Sequence, residues 1–318
     1  MVVLLHHQFS ISVRTSVIIV AGGLPESIGG LRTRLPEILS QDKHFQHIPI
    51  PELRYQTKCH SLVLHNSQIL LCGGEHDTSY IPFYTCRKSR QCLTLIDGRW
   101  RKHSFLNMVR FQASIVSTNV ATFVFGGIDQ PTNTYEYLTK YSTTWEMGKT
   151  QIPNGFHYGF AIDVDEEQEI WLIGGKGTEN RILSFDVQNH TFSELSFKLN
   201  VGRYAHKCAF IPGTSKIMVT GGRNNQNFFN STEIIDIESE IVIMANPMNT
   251  IRFAHGIGNM TIINEERLVV FGGPQSGNSV EVYNPHSQTW QNTNIELKNS
   301  TYAFGFLSTK LINVQMFQ

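Results

Sequence analysis

The sequence predicts an all-β fold, a six-bladed β-propeller with four antiparallel strands in each blade, from two features that repeat along the chain. First, six short apolar runs each end in a pair of glycines, and successive pairs are separated by 51, 53, 48, 47 and 51 residues. Second, a large apolar residue recurs at a similar distance after these pairs. The six pairs are Gly22-Gly23, Gly73-Gly74, Gly126-Gly127, Gly174-Gly175, Gly221-Gly222 and Gly272-Gly273.

Each apolar run has the composition of a strand that is buried on both faces. Ile170–Ile173 and Leu268–Phe271, for example, are four consecutive apolar residues, a pattern typical of strands enclosed between other layers. The two glycines that follow permit a tight bend where side chains would clash. A further pair, Gly29-Gly30, follows no apolar run and is interpreted as a loop. A repeat of about 50 residues with this strand signal favours a four-stranded propeller blade.

The large apolar residue after each pair is expected to pack between neighbouring blades. Val280–Asn284 leads to Trp290, and Tyr135–Leu138 leads to Trp145 with the same offset. A bulky side chain at a fixed offset is what packing between repeated sheets requires. The corresponding residues in the other repeats are Phe192, Val242 and, slightly later in its repeat, Trp100.

A strand start led by arginine precedes several of the glycine pairs. These segments are Arg110-Phe111-Gln112-Ala113, Arg203-Tyr204-Ala205-His206 and Arg252-Phe253-Ala254-His255. Together with the glycine pairs and the Tyr-to-Trp spacing, they closely resemble the Kelch repeat over nearly the whole chain. WD40 repeats fit less well, because the repeats have neither a Gly-His opening nor a Trp-Asp closing pair.

The resemblance implies a single Kelch-type propeller over residues 1–318 whose first blade is completed by the C-terminus. Blade one is expected over about residues 13–50, and the strand over about residues 300–312 is expected to be its missing inner strand. Such closure removes the edges that an open ring would expose. Blade one is expected to be irregular, because neither a clean Trp nor a Tyr-Asp pair lies between Gly23 and His60.

Composition argues against nucleic-acid and membrane partners. Lys plus Arg and Asp plus Glu both number 26, so the net charge gives no electrostatic attraction to phosphate-rich surfaces. No apolar stretch reaches the roughly 18 residues needed to span a bilayer, and no signal peptide is apparent. The five scattered cysteines form no CxxC pair. No disulfide framework or zinc site is therefore expected, Cys72 is expected to be a buried thiol, and the location is predicted to be cytoplasmic.

The sequence predicts no enzymatic activity, no catalytic residue, no cofactor and no metal. His60, His157, His206 and His255 fall at similar places in different repeats; they are either a metal cluster in the channel or, as we favour, structural residues specified by the repeat. The acidic run Asp163–Glu169 favours a solvated hairpin turn over a calcium loop. No G-x-S-x-G, P-loop or H-E-x-x-H motif is present. A propeller enzyme acting on a small molecule is the remote alternative.

The resemblance places a partner-binding rim at one end of the central channel, because loops carry recognition in such scaffolds. Arginine and aromatic side chains are enriched at binding hot spots, and several arginines favour an acidic or extended peptide. The alternative is that these arginines are buried and bonded to loop carbonyls while the aromatic residues pack between blades. The predicted rim consists of Arg110, Phe111, Gln112, Tyr158, Arg203, Tyr204, Arg223, Arg252, Phe253 and Tyr302.

The predicted function is a non-catalytic protein–protein interaction module that is monomeric on its own. The repeats resemble the substrate-recognition propellers of Kelch-like adaptors of cullin-based ubiquitin ligases, in which a BTB and BACK module precedes the propeller. Here the repeats begin within about 20 residues of Met1, so no such module is expected in this sequence. An actin- or cytoskeleton-binding Kelch protein is the alternative, and the residues do not distinguish the two.

Overall fold

The computed structural model describes residues 15–25, 36–42, 50–77, 86–128, 132–165, 168–298, 301–302 and 304–311. The predicted loop at Gly29-Gly30 lies outside these residues. The regular elements in the described ranges are β-strands, and no helix there is long and apolar enough to cross a membrane. The strands are β1 (Thr15–Ala21), β2 (Leu24–Pro25), β3 (Glu37–Leu39), β4 (Gln56–Lys58), β5 (Ser61–His65), β6 (Gln68–Cys72), β7 (Glu75–Asp77), β8 (Cys86–Lys88), β9 (Gln91–Ile96), β10 (Arg99–Phe105), β11 (Ser114–Ser117), β12 (Ala121–Phe125), β13 (Tyr135–Thr139), β14 (Glu146–Met147), β15 (Phe160–Asp165), β16 (Glu169–Ile173), β17 (Ile182–Asp186), β18 (Thr191–Glu194), β19 (Lys207–Phe210), β20 (Lys216–Thr220), β21 (Thr232–Asp236), β22 (Ile241–Ala245), β23 (Gly256–Ile262), β24 (Glu265–Phe271), β25 (Ser279–Asn284), β26 (Thr289–Glu296), β27 (Thr301–Tyr302) and β28 (Gly305–Leu311).

These strands form the predicted six-bladed, all-β propeller. Blades two to six are antiparallel sheets of four strands, ordered β5-β6-β9-β10, β11-β12-β13-β14, β15-β16-β17-β18, β19-β20-β21-β22 and β23-β24-β25-β26. In blade one the described strands are ordered β28-β1-β3. Two small sheets, β2-β27 and β4-β7-β8, lie at the end of the propeller where the glycine pairs are found. The acidic run Asp163–Glu169 spans the hairpin between β15 and β16.

The ring closes through the C-terminal strand, as the sequence predicts. Strand β28 pairs antiparallel with β1 from Thr15 opposite Leu311 to Ala21 opposite Gly305. The innermost strands β28, β5, β11, β15, β19 and β23 contact one another in turn around the channel. The last strand of the chain therefore completes the first blade, and the inner edge of β1 is paired rather than open.

The glycine pairs join each blade to the next. The second glycine donates its N–H to a carbonyl that precedes the inner strand of the following blade. Both Gly126 and Gly127 have positive φ, and a Cβ on Gly126 would lie 1.6 Å from the carbonyl oxygen of Phe156. A side chain is thus excluded by the backbone of the next blade. The five bonds are Gly23 to Thr57 (2.8 Å), Gly74 to Arg110 (2.8 Å), Gly127 to Phe156 (3.1 Å), Gly175 to Arg203 (3.1 Å) and Gly222 to Arg252 (2.8 Å).

The bulky residues at fixed offset pack between blades. Trp145 of blade three is buried against Leu70 of blade two, and its indole N–H donates to the Ser104 hydroxyl of blade two at 3.0 Å. Trp290 of blade six packs in one cluster with Met218 of blade five. The apolar core is therefore distributed over the interfaces between blades rather than gathered at one centre.

The expectation for Cys72 is wrong. Cys72 and Cys92 form a disulfide, because the pairing of β6 with β9 places them directly opposite each other. Cys59 and Cys208 are free thiols. The expected absence of disulfides followed from cysteine spacing along the chain, and spacing does not contain the register between two strands.

Gly126→Ala is expected to destabilise the propeller by about 3 kcal/mol or more, because the new methyl group overlaps a backbone carbonyl at a strained φ. Gly213→Ala is the matched control: Gly213 has φ +73 and nothing within 4 Å of an added Cβ. The control should lose only about 1 kcal/mol. Chemical denaturation of both variants measures the two losses of stability. Equal losses would contradict the view that the backbone of the next blade excludes a side chain at Gly126.

Removal of residues 299–318 is expected to abolish cooperative folding, because β1 then loses its partner β28 and the ring opens. Thermal unfolding followed by circular dichroism, with light scattering for aggregation, tests this. A soluble truncated chain with a single sharp transition at the original temperature would disprove closure by the C-terminus.

Candidate protein-binding face

Five residues at equivalent positions surround one mouth of the channel. Each lies just before an inner strand and has positive φ, between 46° and 57°. Backbone hydrogen bonds connect them in sequence around the channel, with N···O distances from 2.7 to 3.5 Å. We refer to them as the mouth ring: Cys59, Gln112, Tyr158, Ala205 and Ala254. The ring fixes the backbone at the place where side chains of five blades converge.

The three arginines of the predicted rim are buried beneath this mouth. Arg110, Arg203 and Arg252 are 2%, 0% and 0% exposed. Their guanidinium groups pair with carboxylates of their own blades: Arg110 with Glu136 at 2.9 Å, Arg203 with Glu233 at 2.7 Å and Arg252 with Glu281 at 3.0 Å. The structure therefore places these arginines in the alternative role, as buried structural residues.

Each guanidinium also bonds to backbone carbonyls. Nη1 of Arg203 donates to the carbonyl of Gly221 at 2.6 Å and to that of Ser231 at 3.1 Å. Arg110 and Arg252 make the same bond to Gly126 (2.5 Å) and Gly272 (2.8 Å). Burial lowers the pKa of each arginine, and the paired carboxylate opposes this shift. The pairs thus satisfy polar groups that burial would otherwise leave unbonded.

The sequence contains a local signal for these pairs. An asparagine lies three residues before each arginine, at Asn107, Asn200 and Asn249. Its backbone N–H donates to the paired glutamate, at 2.7 Å for Asn200 and Glu233. The N-x-x-R segment and a glutamate in the third strand of the same blade therefore form one structural unit.

Blade four replaces the ion pair with apolar side chains. Phe156 occupies the arginine position, and Leu183 occupies the glutamate position opposite Leu172. Both are buried in the same hydrophobic cluster. The carbonyl of Gly174 accepts from the Thr178 hydroxyl at 2.9 Å, where the equivalent glycine carbonyls of blades three, five and six accept from a guanidinium. The charge pair can therefore be exchanged as a unit while the blade is retained.

Four of the remaining predicted residues, together with Phe228, define a surface that we call the aromatic patch: Tyr158, Tyr204, Arg223, Phe228 and Phe253. The Arg223 guanidinium carbon lies 5.4 Å from the ring centroid of Tyr204, 4.7 Å from that of Phe228 and 5.9 Å from that of Phe253. Phe228 and Phe253 stack at 4.7 Å, and Tyr158 lies 5.9 Å from Tyr204. The patch crosses blades four, five and six beside the mouth ring.

The patch is accessible to different degrees. Tyr204 is buried and forms its floor, whereas Tyr158, Arg223 and Phe253 are partly exposed and Phe228 is 43% exposed. Phe228 was absent from the predicted rim, because it lies in the loop after Gly221-Gly222 and not in an arginine-led segment. The bridges that pair Arg223 with Tyr204 and with Phe228 bring this loop over the patch.

Three predicted residues lie apart from the patch. Phe111 is partly buried, and the Lys88 ammonium lies 5.3 Å from its ring centroid. Gln112 belongs to the mouth ring, where its amide donates to the Cys59 sulfur at 3.2 Å. Tyr302 has its backbone in β27, paired with Leu24, and its side chain lies outside the described residues.

The repeated histidines are placed at blade interfaces. His60, His206 and His255 are buried, each against the first glycine of a neighbouring pair. Burial lowers the pKa of His206 to about 3, so it is neutral at physiological pH. His157 is partly exposed beside Tyr158 at 5.8 Å. Within the described part of the chain, no three His, Cys, Asp or Glu side chains are grouped so that they could hold a metal ion.

The fold and this face define a β-propeller with an apolar and cationic surface at one channel mouth, and they support a protein-interaction module. No family model matches the chain. The chain is 24% identical over 194 residues to a RING finger domain and kelch repeat-containing protein of Dictyostelium discoideum. The aligned region covers 59% of this chain and 19% of that protein. The propeller and this match fit the Kelch-repeat propeller family.

Arg203→Ala is expected to cost about 3–5 kcal/mol, because Glu233 is left buried without its counter-charge. The double variant Arg203→Phe with Glu233→Leu, which copies blade four, should recover at least about 1 kcal/mol of this loss because no charge remains buried. Arg267→Ala, which breaks a partly exposed pair with Glu265, is the control and should cost less than about 1 kcal/mol. Urea denaturation measures all three. A double variant less stable than Arg203→Ala would show that charge burial is not the cause.

Proposed function

We propose that this propeller binds an extended segment of another protein across the aromatic patch. The observation that carries the proposal is Arg223: its guanidinium lies among three aromatic rings and forms no ion pair with any residue that the structure describes. Arginine flanked by aromatic side chains provides a large contact area together with directional N–H donors. Such a group favours a partner with an acidic side chain next to apolar ones.

The mouth ring supports this proposal by fixing the patch in advance. Tyr158 belongs to the ring, and Tyr204 and Phe253 each precede a ring residue in the chain. Their backbone is held before a partner arrives, so little conformational entropy is lost on binding. A preorganised aromatic surface is a property of recognition surfaces that bind without large rearrangement.

The proposal includes the absence of catalysis. The titratable groups that repeat around the channel are arginines and histidines. Arg110, Arg203 and Arg252 are used in buried ion pairs, and three of the four histidines are buried. A catalytic role requires groups that reach a substrate in a cleft. The groups of the patch are a guanidinium, two phenols and two phenyl rings, a set suited to contact rather than to proton transfer at neutral pH.

We further propose that the bound protein is presented to another domain or subunit, as in the Kelch-like ubiquitin-ligase adaptors. The Dictyostelium protein combines a RING finger domain with kelch repeats in one chain. That combination supports a propeller that selects a partner while a second domain acts.

The proposal predicts that the double variant Arg223→Ala with Phe253→Ala captures at least about tenfold less of its partner. The reason is that arginine and aromatic residues are typical of binding hot spots, and both lie at the centre of the patch. Tagged protein is captured from its native cells, and co-purifying proteins are quantified by mass spectrometry. Circular dichroism first verifies that the variant is folded. Tyr141→Ala with Ile263→Ala is the matched control, since these side chains are 93% and 78% exposed in hairpins at the opposite end of the propeller.

Loss of a partner in the patch variant and not in the control supports the patch as the site. Loss in the control and not in the patch variant assigns binding to the opposite end. A cullin among the proteins that co-purify with the unaltered chain supports the adaptor role. Co-sedimentation of the chain with actin filaments would instead favour the cytoskeletal alternative.

A further inference from the structure

The channel is divided into two cavities by aromatic side chains. The larger has a volume of about 700 Å³ and opens among the hairpins, and the smaller, of about 150 Å³, lies beneath the mouth ring. Phe160, Phe306 and Ile115 line both. A ligand that enters through the mouth ring therefore meets a small compartment with an apolar base.

Lys207 supplies the charge of the smaller cavity. Among the described residues that line this cavity, Lys207 is the only lysine or arginine, and no aspartate or glutamate is present. Its Nζ lies 5.4 Å from the ring centroid of Phe160 and 5.4 Å from that of Phe306. The two rings attract the cation through their faces, yet they leave its N–H donors without an anionic acceptor among the described residues.

The other titratable groups of this cavity do not compensate the charge. Burial raises the pKa of the Cys59 thiol and of the Tyr158 phenol, so both are neutral near pH 7. The lowered pKa of His206 keeps that imidazole neutral as well, and His60 is the remaining imidazole on the wall. Behind the lining, burial raises the pKa of Cys208. A partly buried cation without a counter-charge is unfavourable, and a bound anion removes the imbalance.

We propose that the smaller cavity binds a carboxylate group, with the Lys207 ammonium as its ion-pair partner. The rings of Phe160 and Phe306 both lie over the ammonium at 5.4 Å, and these apolar neighbours lower the local dielectric constant, which strengthens the ion pair. The volume is suited to one carboxylate with a short apolar stem. This site is separate from the aromatic patch, although Tyr158 borders both. The carboxylate belongs either to a free small acid or to an acidic side chain of a bound protein segment.

The probes are sodium acetate and two blocked pentapeptides, acetyl-Ala-Ala-Glu-Ala-Ala-amide and its Gln counterpart. NMR chemical-shift titration at constant ionic strength measures each affinity at pH 7. Lys207→Met should weaken acetate binding at least about tenfold, and circular dichroism verifies its fold. Lys176→Met is the control, because Lys176 is exposed at the same end but does not line the cavity; its acetate affinity should stay within about twofold.

Acetate affinity should also fall between pH 7 and pH 9. Burial lowers the pKa of Lys207 to about 8, so the ammonium is protonated below that pH and becomes a neutral amine above it. The Lys207→Met variant should show no such dependence. The Arg223→Ala, Phe253→Ala double variant should retain acetate binding, which separates failure of this site from failure of the patch.

The peptides distinguish the two sources of the carboxylate. If the Glu peptide binds more tightly than both acetate and the Gln peptide, the site receives an acidic side chain. If acetate binds and the two peptides bind equally or not at all, the site receives a free small acid. Both outcomes support the proposal. No binding of acetate or of the Glu peptide, or unchanged binding in Lys207→Met, would overturn it.

Discussion

The joint between consecutive blades is a hydrogen bond from the second glycine of one pair to a carbonyl of the next blade. In three blades that carbonyl belongs to an arginine whose side chain turns into its own blade. Arg203 illustrates this: its carbonyl accepts from Gly175 of blade four, and its guanidinium pairs with Glu233 of blade five. One residue thus holds two sheets in a fixed relation. Because the bond leaves no room for a Cβ on the preceding glycine, the joint also explains why the pair cannot be replaced by larger residues.

The recognition surface depends on these joints. Tyr204 and Phe253 directly follow Arg203 and Arg252, so the buried arginines determine where the aromatic side chains emerge. The mouth ring then fixes the next residue through bonds from blade to blade. Side chains of the face can differ among blades while the backbone beneath them repeats. A scaffold of this kind separates stability from specificity.

Blade four shows which part of the joint is constrained. There Phe156 and Leu183 replace the ion pair, yet Gly127 still donates to the Phe156 carbonyl at 3.1 Å. The backbone bond is therefore the common element, and the side chains that support it are exchangeable when both change together. This agrees with the general finding that a buried pair and a well-packed apolar pair are similar in free energy, whereas half of a pair is not.

The sequence by itself determined the number of blades, the buried strands and the C-terminal closure, because each follows from a local pattern that repeats at about 50 residues. It also brought Tyr158, Tyr204, Arg223 and Phe253 into one predicted surface. Only the tertiary structure decided that Arg110, Arg203 and Arg252 are buried. Their glutamate partners lie 26, 30 and 29 residues further along the chain, and the position of a side chain relative to a distant strand is set by register and packing. The same reason explains the Cys72–Cys92 disulfide, the exposure of Phe228 and the position of Lys207 next to two rings from other blades.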